Sequence, residues 1–199
     1  LDGGGLGDDG GAWGGELLRV EGGGFERIGH LRPIRLPGGD RAAREPWRMA
    51  ASALHLLGRG EEIATRFRMH RAAPAVAEML ARGLRSPSTS SLGRWFDAAS
   101  GLLGVRAVCS VEGQAAMELE GLAAATALPA TTDDLWRIGD DGVLDLRELI
   151  ARIAAIGADP RAAAFGAALF HAAVADALAT WAGAAAGRCG SRRVVAAGG

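Results

Sequence analysis

The apolar pattern of the chain changes at about residue 40, and this change constrains the fold more than any other feature. Before it, residues 16–20 and 25–36 alternate between apolar and polar side chains around Gly22, Gly23 and Gly24, which is typical of a β-hairpin. After it, apolar residues recur at helical spacing. We therefore predict an α/β fold that is rich in helices and has a β-hairpin near its start.

Capping residues, prolines and glycines mark the predicted helix boundaries. Asp40, Ser91 and Asp145 have the side chains that cap helix N-termini, while Gly58 follows the last apolar residue of its segment. Short β-branched segments between the helices are predicted to form strands at 105–111 and 193–197. The predicted helices span residues 40–57, 74–84, 91–103, 112–125, 146–156 and 160–181.

Residues 162–186 are apolar over a length that could cross a membrane. The segment contains His171 and Asp176, however, and it is built from alanine more than from leucine. A buried core helix fits these features better than a membrane span does. We therefore expect no membrane partner, and we expect His171 to be a hydrogen-bonded histidine of the core.

Charge and cysteine content exclude several other classes of protein. The chain has 199 residues, 49% of them hydrophobic, and a formal net charge of −1, which argues against a nucleic-acid partner. Cys109 and Cys189 are too few for a disulfide framework and too far apart for a metal clamp, so we expect a cytoplasmic protein. The four histidines form no HxxxH or HExxH pair, and we assign no metal ligand within the chain.

The first sixteen residues, LDGGGLGDDGGAWGGE, are saturated with glycine and contain three aspartates. Glycine lets backbone N–H groups approach an anion closely, so the segment could line a phosphate site; a disordered terminus is the alternative. Residues 5–10 fit the pattern GxGxxG. That pattern indicates a dinucleotide site only between a strand and a helix, and a predicted strand follows it here.

Two helix N-termini carry candidate binding residues. Asp97 follows a hydroxyl-rich loop and could accept hydrogen bonds from sugar hydroxyls, although an exposed ion pair with Arg94 is the simpler interpretation. Further along, Gly113 begins a helix that carries Glu118 one turn inside it. The simpler interpretation of this second segment is a capped amphipathic helix with solvated glutamates.

Taken together, four segments give the chain a resemblance to a known family. In their order and spacing they are similar to the C-terminal domain of HypF-type carbamoyltransferases of NiFe-hydrogenase maturation, and the resemblance covers essentially the whole chain. The segments are LDGGGLGDDGGAWGGE, HLRPIRLPGGDRAAREPWRMA, SSLGRWFDAASGLLGV and EGQAAMELE, followed by a terminal strand that ends in two glycines.

This resemblance implies a fold and a reaction. The family's domain is similar to the TsaD tRNA threonylcarbamoyl transferases and has the fold of actin, Hsp70 and the sugar kinases. It implies that residues 1–199 form a partial TsaD-like domain, truncated at both ends. Family members make carbamoyl-adenylate from carbamoyl phosphate and ATP, then transfer the carbamoyl group to the C-terminal cysteine of the partner HypE.

Site residues are carried over by the same resemblance. Asp2, Gly3 and Gly5 would line the phosphate and carbamoyl end of the intermediate. Asp97, Gly113 and Glu118 would hold its ribose and base. Gly198 and Gly199 would begin a second nucleotide loop.

The sequence also departs from the family pattern. Gly4 and Leu6 stand where the family usually has Thr and Tyr, Val111 replaces a usual Tyr, and Ala197 replaces a usual Ser. The family's metal ligands would lie outside these 199 residues, so we expect the isolated chain to be inactive. Two alternatives remain open: a truncated remnant that acts at most as a binding module, and an O-carbamoyltransferase of the same fold.

Overall fold

Two small mixed β-sheets form the strand part of the fold. The computed structural model describes residues 5–127 and 131–198. The first sheet has the order β1-β2-β6-β5, with strands β1 (Gly5–Leu6), β2 (Ala12–Trp13), β5 (Ile34–Arg35) and β6 (Ser88–Thr89). The second has the order β3-β4-β8-β7, with strands β3 (Glu16–Glu21), β4 (Gly24–Leu31), β7 (Arg137–Ile138) and β8 (Val143–Asp145).

Strands β3 and β4 form the predicted hairpin. Val20 pairs with Phe25, and the turn between the strands uses Gly22 and Gly23, both with positive φ. A side chain would be strained in this turn conformation, which explains the glycines. The second strand is shorter than predicted, because Pro33 has no N–H to donate and separates β4 from β5.

Eight α-helices lie in the part of the chain that the structure describes, together with short 3₁₀ turns at Gly60–Glu62 and Asp133–Leu135. They are α1 (Asp40–Arg44), α2 (Pro46–Leu56), α3 (Ile63–Arg66), α4 (Ala73–Arg82), α5 (Leu92–Leu102), α6 (Gln114–Ala124), α7 (Arg147–Ile156) and α8 (Pro160–Cys189).

Local signals located most of these helices correctly. Ser91 caps α5 by accepting a hydrogen bond from the backbone N–H of Arg94, and Asp145 accepts one from the N–H of Arg147 at the start of α7. The single helix predicted over 40–57 is wrong, because Pro46 begins a new helix after a break at Glu45. Asp40 is the first helical residue rather than the cap.

Both strands predicted outside the hairpin region are wrong. Residues 105–111 form a loop whose backbone bonds reach the junction of α1 and α2: Trp47 N–H donates to the Ala107 carbonyl, and Cys109 N–H donates to the Arg44 carbonyl. Residues 193–197 lie in an exposed tail without regular structure, where Val194 and Val195 face solvent.

The packing of α2 against α5 forms the centre of the core. Small residues of the two helices, including Ala50 and Gly101, let the backbones approach closely, and Trp95 of α5 is fully buried. A Cβ at position 101 would lie only 2.6 Å from the carbonyl oxygen of Pro46. The backbone of Gly101 is helical, so other residues could adopt its conformation. Glycine is required at this crossing because it has no side chain.

Helix α8 is the apolar segment that raised the possibility of a membrane span. Its length and apolar composition would allow it to cross a membrane. It nevertheless packs on α6, α7 and β3, and it buries Phe170 and Trp181. Trp181 Nε1 donates to the Gly142 carbonyl at 2.9 Å, and half-buried His171 donates through Nδ1 to the Ala167 carbonyl at 2.8 Å. These contacts agree with the prediction of a core helix.

The α2–α5 crossing leads to a stability prediction. Replacing Gly101 by Ala should lower the free energy of unfolding of the 199-residue chain by about 1–3 kcal/mol, because the methyl group overpacks the crossing. Urea denaturation followed by circular dichroism measures this change.

The control is Gly183→Ala on the exposed face of α8, where an added Cβ meets no atom of residues 5–127 or 131–198 within 4 Å. This variant should gain up to about 1 kcal/mol from the better helix propensity of alanine. Equal effects of the two substitutions would show that α2 and α5 are not in close contact at Gly101.

Candidate functional site

Asp97 and Arg94 form a buried ion pair within the first two turns of α5. Their side chains are 8% and 12% exposed, and Arg94 Nη1 lies 2.7 Å from Asp97 Oδ2. The alternative of an exposed surface pair is therefore wrong. Helix α5 buries this face because Trp95, Ala98 and Leu102 anchor it in the core.

The Asp97 carboxyl keeps the capacity to accept hydrogen bonds. Its Oδ2 atom is buried, and although Arg94 is close, the pair is not aligned as a hydrogen bond within the described part of the chain. Burial raises the pKa of Asp97 to about 6, against the opposing effect of the Arg94 charge. A buried carboxyl with open acceptor sites is suited to hold a polar ligand group.

Glu118 lies on α6 and pairs with an arginine that sequence reasoning did not single out. Arg106 donates to both carboxylate oxygens, with Nε at 2.8 Å from Oε2, and Gln114 Nε2 donates to Oε1 at 3.0 Å. The hydrogen bonds from Arg106 hold the pKa of Glu118 below its usual value. Gly113 is the N-cap of the helix that carries Gln114 and Glu118, with φ of 72°. Glu118 is nevertheless one-third exposed, so the simpler interpretation of a helix with solvated glutamates is correct in part.

Cys109 lies near enough to both acidic residues for their charges to act on its thiol. Burial raises the pKa of its thiol, and the negative charges of Asp97 and Glu118 raise it further against the effects of the Ala115 N–H and of Arg106. Asp97 and Glu118 therefore act on the same loop, although 21 positions separate them in the sequence. No periodic signal predicts Arg106 or Cys109 at this place, since the loop position depends on its bonds to Arg44 and Trp47.

The remaining predicted site residues lie at the two ends of the chain. Asp2, Gly3 and Gly199 fall outside the described residues. Gly5 is exposed on β1, and Gly198 is exposed in the C-terminal tail with φ of 136°. The structure thus places Asp97 and Glu118 on the contacting helices α5 and α6, with Gly113 as the N-cap of α6.

The described residues do not fit a metal ion. Within 5–127 and 131–198, no group of three or more His, Cys, Asp or Glu side chains lies close enough together to hold one. The polar groups that the described part of the site offers to a ligand are Asp97, Glu118, their arginine partners and the backbone of Gly113.

Known proteins resemble this chain over its full length. It is 51% identical to carbamoyltransferase HypF2 of Cupriavidus necator over 229 residues, which cover all of this chain and 27% of that protein. It is 43% identical to carbamoyltransferase HypF of Rhizobium leguminosarum bv. viciae, covering all of this chain and 25% of that protein. Residues 1–199 also match the family described as carbamoyltransferase, Kae1-like domain, second subdomain. The chain belongs to the HypF carbamoyltransferase family.

A solved structure agrees with this HypF assignment. The crystal structure of full-length HypF in the phosphate- and nucleotide-bound form superimposes with a TM-score of 0.82 at 30% identity, covering 100% of this chain and 31% of that one. The chain spans about a quarter of the length of the two curated HypF relatives. The α/β architecture with two mixed sheets is therefore that of HypF proteins.

The buried carboxyl of Asp97 leads to a pH prediction. Its folded-state pKa, about 6, lies above the value of 3.8 that it has in an unfolded chain, so its contribution to stability is present below about pH 4 and lost as the pH rises through 6. The free energy of unfolding of the parent relative to Asp97→Asn should fall by roughly 2–3 kcal/mol between pH 4 and pH 7. Urea denaturation at each pH measures this difference.

The control for this pH dependence is Asp145→Asn. Burial alone would raise the pKa of Asp145, but hydrogen bonds from Arg147 and the charge of Arg32 lower it overall. The free energy of unfolding of the parent relative to Asp145→Asn should therefore change in the opposite direction. The contribution of Asp145 is lost as the pH falls. A pH-independent difference for Asp97→Asn would contradict the burial of this carboxyl.

Proposed function

We propose that this chain forms the nucleotide-holding part of a HypF-type carbamoyltransferase of hydrogenase maturation. The observation that carries the proposal is the buried Asp97 carboxyl, which keeps an oxygen without an aligned hydrogen bond to the described residues, on a helix in contact with the one that carries Glu118. Family membership over residues 1–199 and the likeness to a HypF structure in a phosphate- and nucleotide-bound form support the same function.

In the proposed reaction, the C-terminal cysteine of a HypE-type partner attacks carbamoyl-adenylate, which is made from carbamoyl phosphate and ATP. The sulfur of the thiolate forms a bond to the carbamoyl carbon. The bond from that carbon to the phosphate oxygen breaks, and AMP leaves with the electron pair. The thiol proton passes to solvent or to a base.

The residues of this chain bind and orient the intermediate. The Asp97 carboxylate accepts hydrogen bonds from the ribose hydroxyls, and Arg94 keeps it ionised when ligand donors arrive. Gly113 begins α6 with a positive φ and gives the helix no side-chain cap, so the ligand approaches a helix N-terminus at which the N–H of Ala115 interacts with the Cys109 thiol. Glu118 contacts the ribose or base after exchanging Arg106 for the ligand.

The other predicted residues act at the phosphate end in this proposal. Asp2, Gly3 and Gly5 line the phosphate and carbamoyl groups, while Gly198 and Gly199 begin the second nucleotide loop. Such a division requires the actin-like fold, in which two halves of a domain close around a nucleotide, with residues 1–199 as a partial TsaD-like domain. A metal ion would be bound by residues outside this chain, and the complete enzyme would be cytoplasmic, without a nucleic-acid or membrane partner.

A chimera tests the proposal. In the chimera, residues 1–199 replace the matching stretch of Cupriavidus necator HypF2. It should transfer carbamoyl groups from carbamoyl phosphate and ATP to the HypE of that organism, measured by the mass increase of the partner's C-terminal peptide. A folded chimera without transfer would contradict the proposed function and favour a remnant that only binds.

Two variants of the chimera locate the nucleotide. Asp97→Asn and Glu118→Gln should each weaken ADP binding in calorimetry by about tenfold or more, because a hydrogen bond to a charged group contributes about 1.5–3 kcal/mol. The matched control is Glu120→Gln, which changes an exposed glutamate on the same helix and should leave the affinity unchanged. Equal affinities for all variants would exclude this surface as the nucleotide site.

A further inference from the structure

A second buried polar cluster has Glu16 at its centre. The Oε2 atom of Glu16 accepts hydrogen bonds from the backbone N–H groups of Gly14 at 2.6 Å and Gly15 at 2.7 Å. Its Oε1 atom accepts from Arg27 Nη2 at 2.8 Å and from the hydroxyl of Ser90. The side chain is only 7% exposed, and four donors therefore share one buried carboxylate.

These donors come from three separate parts of the fold. Gly14 and Gly15 follow β2, Arg27 lies on β4, and Ser90 lies between β6 and α5. Backbone hydrogen bonds join two of these parts as well: Ser90 N–H donates to the Ala12 carbonyl, and Leu92 N–H donates to the Gly14 carbonyl. Glu16 thus fixes Gly14 and Gly15, at the end of the glycine-rich segment, to the N-terminus of α5.

Arg27 extends this cluster further into the glycine-rich segment. Its guanidinium lies over the Trp13 ring, 4.3 Å from the centroid, and Nη1 lies 3.5 Å from Asp9 Oδ2. Asp9 in turn accepts a hydrogen bond from the N–H of Gly11 at 2.8 Å. The turn between β1 and β2 is therefore tied to Glu16 through one arginine.

We propose that Glu16 is a positioning residue for carbamoyl transfer. Ser90 is followed within two helical turns by Asp97, so the Glu16 cluster sets the distance between the ribose-holding helix α5 and the glycine-rich segment at the phosphate and carbamoyl end. Glu16 itself contacts neither nucleotide nor acceptor. This inference rests on the proposed function, which assigns the two ends of the intermediate to these two segments.

The chemistry of the cluster requires a carboxylate rather than an amide. In Glu16→Gln, one of the two oxygens becomes an NH₂ group, which can only donate. That group then faces either the two backbone N–H groups or Arg27 and Ser90, all of which also donate on this side. The substitution therefore releases one half of the cluster with almost no change in side-chain size.

The test measures single-turnover carbamoyl transfer and ADP affinity in the chimera. In Glu16→Gln, the rate constant of transfer should fall by about tenfold or more, because small displacements of reacting groups carry large rate penalties. The affinity for ADP, which depends on Asp97 and Glu118, should change by less than about threefold because those contacts remain. Glu21→Gln is the control on the same strand, since Glu21 is 77% exposed and pairs only with Arg19 in the described structure; it should leave both quantities unchanged.

Two results would overturn the inference. One is an unchanged rate in folded Glu16→Gln. The other is a loss of rate, ADP affinity and thermal stability together, which would make Glu16 a purely structural residue. Both results are measured relative to a parent chimera that transfers carbamoyl groups. A parent chimera that folds but is inactive would instead contradict the proposed function.

Discussion

The close contact between α2 and α5 is the interaction on which the candidate site depends. Ala50 and Gly101 allow the two helices to approach without side chains between them, and this contact fixes the position of α5 and its Asp97. The junction of α1 and α2 also holds the loop that carries Arg106 and Cys109, because the N–H of Trp47 donates to that loop and the carbonyl of Arg44 accepts from it. Helix α2 and the end of α1 therefore position both sides of the site.

The two acidic residues of the site have opposite electrostatic environments. Burial raises the pKa of Asp97 and limits its solvation, whereas Glu118 is one-third exposed and has its pKa lowered by Arg106. Asp97 is consequently held in one place by packing, while Glu118 is held by an ion pair near solvent. The site therefore combines the Asp97 carboxyl, which is fixed in position, with the Glu118 carboxylate, which can exchange Arg106 for a ligand.

Features that depend on neighbouring residues could be predicted from the sequence, and features that depend on distant ones could not. The hairpin and the start of α5 follow from Gly22, Gly23 and Ser91, whose effects act within a few positions. Residues 105–111 were misassigned as a strand because their β-branched side chains favour one, while their actual hydrogen-bond partners lie about 60 positions away. The pairing of Arg106 with Glu118 and the burial of Asp97 likewise require the folded chain.

The Arg106–Glu118 pair also determines how the site responds to its solution conditions. Both side chains are about one-third exposed, and ion pairs of this kind stabilise a fold only slightly and weaken as salt is added. A ligand that uses Glu118 has to compete with Arg106 for it. Ionic strength therefore affects the ligand-free site as well as the ligand, because salt weakens the Arg106–Glu118 ion pair before the ligand binds.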